Sequence, residues 1–111
     1  MYSNDSGTAI KAKTTLSNMD TILSKEDASV TADSLKKLKA AGIDVQDKTA
    51  YYNSKKEAIS AEDGASVDTY STYVSKRVAT EKQKVINSVG STMSYNDYEN
   101  AVTKYKALGG S

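Results

Sequence analysis

The groups that could carry chemistry in this chain are serines, lysines and carboxylates, because histidine and cysteine are both absent. General acid–base work at neutral pH draws first on histidine, and thiolate nucleophiles and thiolate metal sites need cysteine. A Ser–Lys or paired-carboxylate site could still be built, but Ser, Lys and Asp scattered along the chain are also what a solvated helical surface contains. Glu62, Asp63 and Gly64 hint at a calcium loop. The alternating acids and the closing glutamate of such a loop are missing, so the segment reads as a turn. No glycine-rich phosphate loop occurs. No catalytic residue, cofactor, metal ligand or small-molecule substrate is assigned, and the chain reads as a non-enzyme.

Glu81 is the carboxylate in the most unusual place. It falls near the centre of a valine stripe, between Val78 and Val85. A buried ionised carboxylate is costly unless paired. One reading is that the helix leaves the bundle near Val78. The alternative is that Glu81 sets register against a neighbouring helix, from this or another subunit, as polar core residues do in coiled coils.

Tyrosine is the only aromatic residue, with eight copies and no Phe or Trp. In "TMSYNDYENAVTKYKALGG", residues 92 to 110, Tyr95, Tyr98, Ala101, Val102, Tyr105 and Leu108 share an arc of roughly 140° on a helix. The rings therefore read as core and core rim, with hydroxyls reaching water or a partner. The sharper alternative is that Tyr95, with Tyr51 or Tyr52, forms an exposed aromatic contact for a protein partner. The partner-binding candidates are thus Tyr51, Tyr52, Glu81 and Tyr95.

These residues need helices to position them. Proline is absent, which favours long uninterrupted helices. Gly42, Gly64, Gly90 and Gly109 each follow a helical pattern, where a left-handed residue can close a helix. The first helix is expected from about Thr8 to Ser24, with Ala9, Ala12, Leu16, Met19 and Leu23 in a 3-4 stripe and Ile22 beside it. A second follows Thr31 as cap, turns Leu35 and Leu38 inward, and ends at Gly42 with Ile43 folded back on Leu38 in a Schellman motif. A third follows Asp47 and uses Tyr51, Ala58 and Ile59. The fourth, from Ser66 to about Val89, carries Val67, Tyr70, Val74, Val78, Val85 and Val89 on one face and would span roughly 36 Å. The fifth starts at Ser94, with Asp97 as an acidic capping-box partner and Met93 and Tyr98 placed as a staple. The valines recur at 3 and 4 rather than at 2, so no strand is expected.

The fold expected is all-α: a small antiparallel helical bundle or helical hairpin array of about five helices. Residues 1–111 are read as a single helical domain, with 1–7 and 109–111 as flexible ends. The opening "MYSNDSG" looks like an unstructured or processed end, which leaves export open. Fifteen Lys plus Arg stand against fourteen Asp plus Glu, so no global field draws the chain to nucleic acid or anionic lipid. Lys76, Arg77, Lys82 and Lys84 form a local basic cluster, but Arg77 is the sole arginine, which disfavours sequence-specific readout of nucleic acid. No apolar run is long enough for a membrane span.

Residues 35 to 53, "LKKLKAAGIDVQDKTAYYN", faintly resemble SAP and related helix-extended-loop-helix DNA-binding modules, with Leu38, Gly42, Ile43, Val45 and Tyr52 on matching positions. Ser34 replaces the earlier leucine, Asp47 the loop glycine, and the closing Arg-Leu is missing, so no DNA-contacting residue is carried over. The Tyr95 to Glu99 spacing is similar to that at the ends of small helical type VII secretion substrates, without their Trp-x-Gly turn. Neither likeness amounts to membership of a family.

Leu, Ile, Val and Phe together supply 18 of 111 residues. That is below the roughly 20% at which disorder becomes a live possibility, but the high net charge that accompanies disorder is absent, so a folded chain is expected. The core is thin, and its helices are expected to complete their burial against copies of the chain or against a protein partner. The function expected is a non-enzymatic helical assembly subunit, of the kind found in virions or on microbial surfaces. The alternatives are a nucleic-acid-binding accessory protein and a helical inhibitor or immunity-type binder.

Overall fold

Short-range capping signals decide most helix ends. The structure, a computed structural model, describes the backbone of residues 2–110 and the side chains of residues 12–110. Among them the chain is all-α: α1 Tyr2–Ser24, α2 Ala28–Ala40, α3 Lys48–Ser54, α4 Lys56–Ile59, a 3-10 turn Gly64–Ser66, α5 Tyr70–Ser88 and α6 Tyr95–Ala107. The Asp47 carboxylate accepts from Ala50 N at 2.8 Å, and the Ser94 hydroxyl accepts from Asp97 N at 3.2 Å, as N-caps do. At the end of α2, Gly42 takes φ 75° while Ile43 N donates to Leu38 O at 2.9 Å and Gly42 N to Lys39 O at 3.0 Å. That is the Schellman pattern. Helix α6 ends the same way, with Gly109 at φ 87° and Gly110 N donating to Tyr105 O at 2.9 Å.

Other ends differ from the sequence reading. Helix α2 is capped by Asp27, whose carboxylate accepts from Val30 N, and not by Thr31. The third expected helix is two, broken at Lys55, and Ala58 is exposed rather than inward. Helix α5 begins at Tyr70, not Ser66, because residues 64–66 tighten into the 3-10 turn and Val67 turns extended at ψ 134°. Helix α1 begins at Tyr2, ahead of Thr8. Of the residues expected at flexible ends, Met1 and Ser111 lie outside the described residues, as does the side chain of Ala9 in the first stripe.

The chain divides into two compact units, Met1–Glu26 with Gln46–Tyr70, and Asp27–Val45 with Ser71–Ser111. Their buried cores differ in chemistry. The first unit buries Ile22, Tyr51, Ile59 and Tyr70; the second buries Leu38, Val74, Val78, Val85 and Leu108. Phenol rings therefore replace aliphatic side chains in one unit, and valines fill the other.

In the first unit α1 lies against the 3-10 turn and α4. Asn18 fixes which face it turns inward, because its amide Nδ2 donates to Ile59 O at 2.6 Å and to Ala61 O at 3.0 Å. Gly64 is buried at this contact, and its φ is not left-handed, contrary to the expectation for a closing glycine. It is required for space: a Cβ there would overlap the Ile59 carbonyl oxygen and sit 2.6 Å from Asn18 Nδ2. Gly64→Ala is therefore expected to lower stability by about 1 to 3 kcal/mol through overpacking against backbone. An unchanged urea midpoint for that variant would show that the turn stands off α1.

Candidate functional site

Around the start of α5 the first unit builds a tyrosine cluster on one carboxylate. The Tyr52 hydroxyl donates to Glu26 Oε1, and the same oxygen accepts from Tyr70 N at 2.8 Å. Tyr70 N also lies 2.9 Å from the Tyr52 hydroxyl oxygen, and the Tyr70 hydroxyl donates to Gln46 O at 2.6 Å. Glu26 thus places a negative charge on an orphan donor at the first residue of α5, where the helix macrodipole favours one. Burial, and then the hydrogen bond to Glu26, push the Tyr52 phenol well above its ordinary value. It is a neutral donor, not a base.

Tyr51 is 1% exposed. Its hydroxyl donates to Asp68 O at 2.8 Å, and its ring sits 5.1 Å from that of Tyr52 and 5.6 Å from that of Tyr70, centroid to centroid. As an exposed aromatic contact Tyr51 is thus corrected: it is a core ring. The physical reason is the tilted packing of three phenols with their polar tips satisfied by backbone and carboxylate. Tyr52 is half-buried, and its ring borders a groove of about 380 Å³ lined also by Thr15, Met19, Lys48, Asn53 and Lys56.

In the second unit Glu81 is 5% exposed, so α5 does not leave its core near Val78. The carboxylate is paired within its own helix: Arg77 Nε donates to Oε1 at 2.8 Å and Lys84 Nζ at 3.3 Å. Those hydrogen bonds, that of Arg77 foremost, hold the Glu81 carboxyl below its ordinary value against the upward push of burial. The pairing was legible in the sequence as Arg77 four residues before and Lys84 three after. It also offsets one charge of the basic cluster, because Arg77 and Lys84 share the single Glu81 carboxylate.

Tyr95 is 73% exposed and Tyr98 49%, so these two rings are not core, while Tyr105 is half-buried against Gly110, where a Cβ would overlap it. Within Tyr95–Ala107 no residue is buried. The buried edge of the α6 arc is Leu108, and exposure rises from there towards Tyr95. Tyr51 and Tyr52 belong to the first unit, Glu81 and Tyr95 to the second.

The largest departure from the sequence reading is on α1. Ile22, the residue beside the stripe, is buried, while Ala12 and Leu16 of the stripe are exposed, Leu16 at 71%, and Leu23 is 40% exposed. Helix α1 is rolled roughly a quarter turn from the orientation that its apolar period predicts. Its inward flank is the one that carries Thr15, Asn18 and Ile22. No signal in the stripe itself announced this; the amide of Asn18 at the edge was the available hint.

Among the described residues no group of three or more His, Cys, Asp or Glu is placed to hold a metal, and no helix is long and apolar enough to cross a membrane. Comparison with protein-family models, with curated proteins and with solved structures finds no match to this chain.

Proposed function

We propose that this chain is a non-enzymatic helical subunit that assembles with copies of itself through faces left uncovered in the isolated chain. The observation that supports this reading is the outward stripe of α1, where Leu16 is 71% exposed on a helix whose other flank is anchored by Asn18 and Ile22. Heptad-spaced apolar residues facing water are the pattern of a helix-pairing seam. Exposed leucine alone is ordinary on a protein surface; leucine repeated in register along one helix line is the informative feature. Tyr95 and Tyr98 on α6 add a second uncovered strip of amphipathic side chains, of the type enriched in interface hot spots.

Sedimentation or light scattering across a micromolar to millimolar series is expected to show a concentration-dependent rise in mass. Leu16→Glu should hold the chain monomeric with unchanged helical circular dichroism, since the side chain is outside the core. A wild-type chain that stays monomeric throughout that range would remove the self-assembly reading.

A further inference from the structure

The occupant of the α1 seam can be read from the seam and its flanks, and this inference rests on the self-assembly reading above. Ala12, Leu16, Met19 and Leu23 lie within an arc of about 60°, at the a and d positions of successive heptads; Ala12, Leu16 and Leu23 are exposed, and Met19 is half-buried at the groove beside Tyr52. Lys13 and Asp20, seven residues apart, both border that arc on the same side. Both are exposed, and neither takes part in an ion pair among the described residues. The other border carries Thr15 and Ile22, half-buried and buried in the chain's own unit.

We propose that the seam is covered by α1 of a second copy of this chain, running antiparallel, with Lys13 of each copy facing Asp20 of the other. A two-fold axis perpendicular to the plane of two antiparallel helices keeps the same border of both on the same side, so the Lys13–Asp20 border meets its own reverse. Plus then faces minus twice. A parallel pair would set this border against the Thr15 and Ile22 border, which lies beside a groove holding Lys48 and Lys56 and so offers Lys13 no acid.

The apolar layers agree with the same register. Ala12 comes level with Leu23 of the second copy, and Leu16 with Met19 of the second copy. Each layer therefore sets a leucine against a small or an unbranched side chain, a combination that packs without two branched residues colliding. Lys13 and Asp20 of the second copy are then offset by about 3 Å along the axis, within the reach of a lysine.

The test is sedimentation equilibrium of the full chain carrying Lys13→Asp, Asp20→Lys, both together, or an equimolar mixture of the two single variants. Each single variant, facing like charge twice, is expected to weaken the dimer about tenfold or more. The mixture should return to within about threefold of wild type, because one chain then offers two acids and the other two lysines. The double variant exchanges the signs and should match wild type, which keeps the test decisive should a single variant fold poorly. Wild-type affinity in both single variants would overturn the antiparallel seam and leave self-assembly through another face standing. A wild-type chain that is monomeric at every concentration would overturn both, and would give the face to a partner of different sequence.

Discussion

Tyr51→Ala is expected to destabilise the protein by about 3 to 5 kcal/mol, the range for deleting a large aromatic from a core that cannot collapse around the gap. The ring is 1% exposed and touches two others, so its loss unsupports Tyr52 and Tyr70 together. Little else fills that core, since its remaining buried apolar residues are Ile22, Ile59 and Tyr70. Tyr51→Phe separates ring from hydroxyl. It keeps the packing but removes the hydrogen bond that the Tyr51 hydroxyl donates to the Asp68 carbonyl at 2.8 Å. That variant should lose about 0.5 to 1.5 kcal/mol, the net worth of one such hydrogen bond. Urea titration of the three proteins gives both differences. A Tyr51→Ala midpoint close to that of Tyr51→Phe would mean that the hydroxyl, not the ring, holds the cluster.

The features that sequence reading located well are those whose cause lies within four or five residues. Asp47, Ser94, Gly42 with Ile43, and Gly109 each act on backbone groups of their own helix end, so residue type and spacing suffice. The inward face of α1 was lost because its cause is distant: Asn18 donates to carbonyls at positions 59 and 61. The two hydrogen bonds from Asn18, to the carbonyl of buried Ile59 and to that of exposed Ala61, act together with the burial of Ile22 on the same flank, and so turn that flank inward in place of Leu16. Adjacent Tyr51 and Tyr52 are indistinguishable by type, yet one is buried and the other is half-buried and hydrogen-bonded to Glu26. Glu26 itself gave no signal. Its part in starting α5 links residues 26 and 70 and exists only once the chain has folded.

The second large effect is expected at the ion pair of α5, where removing either member has opposite consequences. Arg77→Ala leaves a carboxylate that is 5% exposed with only the exposed Lys84 ammonium at 3.3 Å for company. The loss should be about 2 to 4 kcal/mol, at the lower side of the range for an orphaned buried charge because Lys84 remains. Glu81→Leu removes the charge along with the need for a partner and continues the valine stripe, so it is expected to be neutral or stabilising. The pH dependence follows from the same geometry. The Glu81 carboxyl sits below its ordinary 4.5 in the folded protein, so folding binds fewer protons at that site than the unfolded chain does. Its contribution is complete above the unfolded value and is lost as pH falls through the lower folded one. In Arg77→Ala the largest downward influence is gone while burial still pushes upward, so the folded value rises towards the unfolded one and the share of the acid limb that belongs to Glu81 should shrink. In Glu81→Leu that part of the limb should vanish. Urea midpoints from pH 3 to 7 for the three proteins would test the ordering, and equal acid limbs in wild type and Glu81→Leu would place the titration on another carboxylate.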